Sequence, residues 1–315
     1  MGLLSKIPRN AYGFCIRMVL FLIIYSVSIW KYIDINNTLY DGGVFANVPY
    51  IDFLIFPCVG LFLLARWSEI KEMERYRNGI FQTLIFLSLA VGAYLVPASF
   101  LVMNQYVNNM LFSIYVPLLL SQMFFLFAIF NFRFIKKFSR DFALFTSIIL
   151  IMLLATYTIE HYWKVLSGSI MGALHYILPL IDSSVKIVVK SYSITMKNFK
   201  VNIGATCSGV YSIVAFSLLF ITALYFASIK HRINRWLALI ALLSGMVAVF
   251  ILNIIRIVVI ILVGAYYSPK LAIQFFHEYL SAMFLLGLFF LYLKYIIPKI
   301  VTKDRTPSST AHSSL

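Results

Sequence analysis

An all-α polytopic integral membrane protein of about eight transmembrane helices, with a short outer-face β-hairpin before the sixth, is the fold class this chain predicts. Three observations predict it. The 315 residues are 62% hydrophobic and only 12% charged, against roughly 45–50% and 25% in a soluble domain, and the mean hydropathy is +0.92. Apolar runs of about 18 residues or more recur along the whole length, as bilayer spanning requires. Lys and Arg gather in short loops between those runs, the pattern that retains loops in the cytoplasm. The net charge of +15 is therefore read as membrane topology, and nucleic acid is not an expected partner. No repeat, low-complexity stretch or Pro/Gly/Ser linker divides the chain. One integral domain over residues 1–300 is expected, followed by a disordered cytoplasmic tail over 301–315.

The first span is expected over Phe14–Tyr32, with Trp30 and Tyr32 as interface anchors. Ser26-Val27-Ser28 is a poor cleavage site, so this segment reads as a retained span rather than a removed signal peptide. The second runs over Tyr50–Ala65 and ends in Arg66-Trp67 and a charged turn through Arg77. The third covers Gly79–Val102, the fourth Met110–Phe132, and the fifth Phe142–Ile159. The sixth starts at Ser208 and ends before Lys230-His231-Arg232. The seventh runs over Trp236–Val263 and the eighth over Glu278–Ile297.

Arg and Lys crowd the N-terminus, 66–77, 133–140, 230–235 and the tail, whereas 34–48 and 103–109 carry neither. The charge rule then places both termini in the cytoplasm of a multi-pass cell-membrane protein. Lys164–Ile181 is the ambiguous stretch. Lys164, Ser167, Gly168, Ser169, His175 and Pro179 make a poor lipid-facing helix, and a ninth span would put Lys230, Arg232 and Arg235 outside. An interfacial or re-entrant segment on the outer face is expected there.

With eight spans, three chemically capable residues fall on the outer side. Cys207 stands at the entrance of the sixth span, His277 at the entrance of the eighth, and Arg256 about two turns, roughly 12 Å, below the outer end of the seventh. Cys207 precedes a helix start, with Ser208 as a possible N-cap. A helix N-terminus and a nearby Arg both favour the thiolate, which is the nucleophilic form. A neutral His277 could take the thiol proton or protonate a leaving amine. An arginine inside a span is costly and belongs against the protein interior or a wet cavity. There Arg256 could hold a thiolate or the oxyanion of a tetrahedral intermediate. Asn253, one turn earlier on nearly the same face, could orient Arg256 or donate to substrate. Cys15 and Cys58 read as small buried hydrophobes, and with no CxxC neither a metal site nor a disulfide relay is expected. No cofactor is expected. His161 and His175 read as interfacial, and Glu278 as a favourable first-turn acid.

Cys207-Ser208-Gly209 at a span entrance, Asn253-x-x-Arg256-Ile257 in the next span and His277 opening the last resemble the exosortase/archaeosortase family of polytopic membrane cysteine proteases and presumed transpeptidases. The motif-bearing part is about residues 185–285. The resemblance implies Cys207 as nucleophile, with Arg256 and His277 as its partners. It also implies a substrate class: exported proteins with a C-terminal sorting signal, made of a short motif such as Pro-Glu-Pro, a transmembrane helix and a basic cluster. An amine, a lipid headgroup or water would resolve the thioester. One departure is visible, because four residues after the histidine the family usually has Gly and this chain has Ser281.

The stretch before Cys207 alternates with period two at Val185, Ile187 and Val189 and again at Phe199, Val201 and Ile203, which argues for strands. Lys197-Asn198 could turn a hairpin. Lys186, Lys190, Lys197 and Lys200 decorate it, either as a solvated face or as a site for an acidic motif or anionic headgroups. The reading of the whole is an outer-face membrane cysteine peptidase/transpeptidase. The alternative is a polytopic transporter with Arg256 lining its pathway, which would more typically place broken helices near the midplane, often within repeats. A non-catalytic membrane scaffold is the third reading.

Overall fold

The computed structural model describes residues 16–17, 19–21, 23, 50–71, 79–102, 116–130, 132–204, 207–276 and 279–302. The expected first span and the C-terminal tail therefore lie almost wholly outside the described residues. The chain divides into two compact units, Met1–Ala46 with Arg66–Thr146, and Asn47–Ala65 with Ser147–Leu315. The helices in chain order are α1 (Tyr50–Lys71), α2 (Ile80–Val102), α3 (Val116–Ile129), α4 (Phe132–Lys137) and α5 (Ser139–Ile181). After a small sheet come α6 (Val210–Ser228) and α7 (Arg235–Tyr266). The last, α8 (Tyr279–Ile300), is apolar enough throughout to count as one span. Among the described residues, four helical stretches are long and apolar enough to cross a membrane: Trp163–Ile181 and all of α6, α7 and α8. Ile80–Val96 and Leu120–Ile129 are shorter apolar helices.

In the first unit, α2 and α3 pack side by side. Phe86 stacks on Phe127 with ring centroids 5.4 Å apart, and Ser121 Oγ donates to the Ala90 carbonyl at 2.8 Å. The second span was expected to end at Ala65, but α1 continues to Lys71. The physical reason is Arg66, which does not face water as a loop residue would. Its Nε and Nη2 grip Asp141 side-on at 3.0 and 3.3 Å, and its Nη1 donates to Glu69 at 2.8 Å. Asp141 lies in the first turn of α5 with its side chain 1% exposed, and Lys137 reaches the other oxygen of Glu69 at 3.7 Å. The basic stretches 66–71 and 133–140 therefore meet at one end of this unit.

In the second unit the ambiguous stretch resolves. α5 is a single helix of 43 residues with no break, about 65 Å if straight, or about twice the hydrocarbon core. A helix that never reverses crosses a bilayer once at most. Lys164–Ile181 is thus not a re-entrant turn but the continuation of the helix that begins at Ser139, and Trp163–Ile181 is by length and composition apolar enough to cross a membrane. Ser167, Ile170, Met171, Leu174 and Leu178 are wholly buried, while Lys164, Ser169 and His175 are exposed. Of the polar residues that argued against a helix, Lys164, Ser169, His175 and Pro179 are on its exposed side, while Ser167 lies in a buried stripe that is otherwise apolar at helical spacing.

Three antiparallel strands follow, β1 (Lys186–Val188), β2 (Ser193–Met196) and β3 (Phe199–Asn202), in the order β1-β2-β3. Lys197, at φ 51, opens the turn between β2 and β3, the left-handed conformation that tight hairpin turns use at their first central position. The alternation in the sequence suggested arms at 185–189 and 199–203. The partner of β3 is instead β2, a four-residue strand that itself alternates Ser-Ile-Thr-Met, and β1 pairs with the other edge of β2. Ile187, Ile194 and Val201 stand in register on one face, against α5 and α7, and Lys186, Thr195 and Lys200 on the other.

α7 carries a buried stripe that includes Ala241, Gly245, Val249, Asn253, Arg256, Ile260 and Gly264, opposite exposed Leu243, Val247, Ile251 and Ile255. A Cβ on Gly264 would run into the ring of Phe199 from β3, so glycine lets the sheet sit directly on the helix. At the other end of α7, β4 (Arg232–Ile233) pairs with β5 (Val301–Thr302), and Asn234 N–H donates to the Ile300 carbonyl at 3.0 Å. The loop after α6 and the end of α8 are tied together there, at the opposite end of α7 from the three-stranded sheet.

Candidate active site

α7 supplies the polar centre because helical spacing puts Asn253 and Arg256 on its buried stripe. Asn253 is 4% exposed and Arg256 only 1%. Asn253 Nδ2 donates to the Cys207 carbonyl at 2.9 Å, and Arg256 Nη1 donates to Asn253 Oδ1 at 3.1 Å. These partners settle the orientation of the amide by chemistry, since a carbonyl can only accept and a guanidinium can only donate. Arg256 Nη1 also donates to Ser281 Oγ at 2.9 Å, and Ser281 Oγ lies 3.5 Å from Ser212 Oγ. A backbone atom of the segment before α6, two side chains of α7 and one of α8 thus form a single hydrogen-bonded chain.

Gly209 explains how Cys207 comes so near α7. It is the N-cap residue of α6 at φ 77, and a Cβ there would stand 2.8 Å from Asn253 Nδ2. Both the left-handed backbone and the contact require glycine. Ser208 was expected as the cap, but the cap position is Gly209, and Ser208 is a wholly buried residue whose Oγ accepts from Val210 N–H at 3.5 Å. Cys207 is 5% exposed and packs in an apolar cluster with Ile170, Ile203 and Ile257. α7 also overshoots its expected end. Arg256 lies ten residues before the last residue, Tyr266, about 15 Å below it. Cys207 therefore sits well inside the fold, with the sheet packed against the overhanging end of α7.

Arg256 has an unused edge. Among the described residues its Nε and Nη2 have no hydrogen-bond partner, and both are shielded from solvent. Those two N–H groups point the same way and form the side-on fork of a guanidinium. In Arg66 the same fork is filled by a carboxylate. A small pocket lies at Arg256, lined also by Ser212, Leu252, Asn253, Ser281 and Phe284, with room for about one water molecule.

His277 lies outside the described residues. Those on either side of it are placed: Ala272 and Phe276 pack with Phe199 and Ile260, and Ser281 is bonded to Arg256. The sequence offered no functional role for Ser281 or Ser212. Serines recur throughout these apolar helices, and nothing in the spacing of these two marks them as partners of Arg256.

A family model of transmembrane exosortases matches residues 50–293 of the 315. The chain belongs to the transmembrane exosortase family. No match is found among curated proteins or among solved structures. Family membership makes the chain a multi-pass membrane protein that processes the sorting signals of exported proteins, a protease or transpeptidase in kind. The match includes Cys207, Gly209, Asn253, Arg256, His277 and Ser281.

Proposed function

We propose that this exosortase is a cysteine peptidase/transpeptidase that cleaves PEP-CTERM-like C-terminal sorting signals at the outer face of the cell membrane, with Cys207 as nucleophile. Both termini are cytoplasmic in this reading. The observation that carries it is the free side-on fork of a wholly buried Arg256, held by its third nitrogen in the network that also fixes the Cys207 backbone. A purely structural arginine at that depth would be expected to spend all its donors. Unpaired buried donors cost about 1–3 kcal/mol each, and such a cost persists where the group has work to do on a ligand.

The thiolate of Cys207 attacks the peptide carbonyl carbon just outside the substrate's transmembrane helix. Electron density moves onto the carbonyl oxygen, and the Nε–Nη2 fork of Arg256 receives it. Collapse of the intermediate breaks the C–N bond, His277 passes the proton it took from the Cys207 thiol to the leaving amine, and a thioester remains. An amine, a lipid headgroup or water then attacks the thioester, gives its proton to the now neutral His277, and that proton passes to the departing sulfur to regenerate the thiol.

The test pairs the exosortase with a tagged exported protein of the same genome that ends in a short motif, an apolar helix and a basic cluster. Cys207→Ala and Cys207→Ser should both abolish processing while the protein still accumulates, since serine without a dedicated base is a poor nucleophile. Cys15→Ala and Cys58→Ala should leave it largely intact. Full processing by Cys207→Ala would remove the cysteine mechanism.

A further inference from the structure

Ser281 is a buried hydroxyl, 5% exposed, whose strongest contact is Arg256 Nη1 at 2.9 Å. Arginine has no lone pair to offer, so Ser281 is the acceptor. Its own proton is then directed elsewhere, and among the described residues the acceptor in reach is Ser212 Oγ at 3.5 Å, a long separation for two hydroxyls. The bond to Arg256 is charge-assisted and the stronger of the two. Nη1 carries two hydrogens, both in the plane of the guanidinium. One goes to Asn253 Oδ1 and the other to Ser281 Oγ. Two in-plane acceptors set the plane of the group, whereas one alone leaves it free to turn about that bond. Asn253 is on the same helix, three residues earlier, and moves with Arg256. Ser281 belongs to α8 and is the contact that refers the guanidinium to a second element.

This rests on the reading that the free edge of Arg256 serves the reacting carbonyl. We propose that Ser281 is a positioning residue: its hydroxyl fixes the guanidinium plane of Arg256 and so aims the Nε–Nη2 fork. Removing the hydroxyl leaves the charge in place and lets the fork swing. Turnover should then fall while substrate binding stays, because the carbonyl gains its negative charge only in the transition state.

The experiment uses the full-length exosortase in membranes with the tagged exported protein described above. Ser281→Ala should process roughly tenfold more slowly, the size of one lost charge-assisted hydrogen bond, with unchanged co-purification of uncleaved substrate and normal accumulation. Ser281→Thr keeps the hydroxyl and should stay within about threefold of the parent. Should the extra methyl prevent its accumulation, Ser281→Gly is the second variant. It leaves a gap that a water can fill as acceptor, so its rate should lie above that of Ser281→Ala. The proposal is overturned if Ser281→Ala processes at the parental rate, if it loses substrate capture in step with turnover, or if the hydroxyl-bearing or water-admitting variant is as slow as alanine. Cys207→Ala, run beside them, separates the two failures. A fast Ser281→Ala with a dead Cys207→Ala sinks the positioning role alone, while an active Cys207→Ala sinks the enzymatic reading beneath it.

Discussion

Asn253 and Cys207, 46 positions apart in sequence, are joined by a 2.9 Å hydrogen bond from the asparagine amide to the cysteine carbonyl. The same amide accepts from Arg256 at 3.1 Å, so one side chain sets the spacing between the proposed nucleophile's backbone and the proposed oxyanion partner. Asn253→Asp keeps the acceptor for Arg256 but sets carboxylate oxygen against carbonyl oxygen. Asn253→Ala loses both contacts. Each should lower processing by about ten- to a hundredfold, in line with the loss of a buried hydrogen bond that leaves its partner unsatisfied. Cleavage of the tagged substrate on denaturing gels reads this, and parental rates in both variants would remove Asn253 from the site.

Arg256→Lys is expected to behave as a severe change. Lysine brings a charge but no planar fork, and it cannot satisfy Asn253 and Ser281 while offering two parallel donors. Turnover should fall at least a hundredfold with substrate still captured. His277→Ala should instead slow the steps that move protons and let an enzyme-linked form build up. Tracking unprocessed, enzyme-linked and released substrate distinguishes the two. Wild-type rates in both would mean that other groups activate Cys207.

Gly209→Ala tests the backbone. A side chain there must adopt a positive φ and press on Asn253 Nδ2, a combination that costs about 1 kcal/mol for the backbone alone and more for the contact. The variant should accumulate less or melt at lower temperature in detergent, and should lose activity beyond the loss in protein level. An unchanged melting temperature and rate would show that the start of α6 can relax away from α7.

Sidedness is open to direct labelling. In a Cys15→Ala, Cys58→Ala background, an impermeant thiol reagent on intact cells should reach a cysteine at Lys190, beside β1. It should not reach one at Ser139, at the start of α5, or at His231, next to β4. All three positions are exposed on the fold. Labelling at Ser139 and His231 without permeabilisation would invert the topology and put the active site on the wrong face.

The clamp at the sheet end of α7 has a pH signature. Asp182 accepts from the Tyr266 hydroxyl at 2.7 Å and from Ser184 N–H at 2.9 Å, and Lys197 Nζ sits 3.5 Å over the Tyr266 ring. Those hydrogen bonds, the tyrosine's first, hold the Asp182 carboxyl down at about 2. The folded value lies below the unfolded one. The clamp is therefore fully present above the ordinary carboxylate range, near pH 4, and its contribution fades as pH falls through about 2. Asp182→Asn should loosen the sheet at neutral pH, seen as faster proteolysis or hydrogen exchange over 186–202, and the difference from the parent should shrink toward pH 2. A difference that grows with acid would contradict the assignment.

Much of the fold was legible because bilayer physics writes itself into composition. A span must be apolar, so α6, α7 and α8 could be bounded to within a few residues, and an arginine among apolar neighbours had to face inward, as Arg256 does at 1% exposure. The reach of Asn253 to Arg256 was readable too, since residues three apart share a helix face. Interactions between distant segments were not. That α1 continues past Arg66 depends on Asp141, 75 positions away. That Lys164–Ile181 is plain helix depends on the sheet and α7 that cover its stripe. β2 alternates Ser-Ile-Thr-Met but over four residues, the shortest run in which alternation argues for a strand, so it did not stand out. Gly209 stood out only as part of a tripeptide, and its reason is the asparagine it touches. Ser281 drew notice only as the place where the family usually has glycine. A hydrogen bond has direction and a length of about 3 Å, and spacing along the chain carries neither across helices, so the residue type and its depth in the membrane were determined locally, whereas the partner of Arg256 Nη1 was decided by how α8 packs on α7.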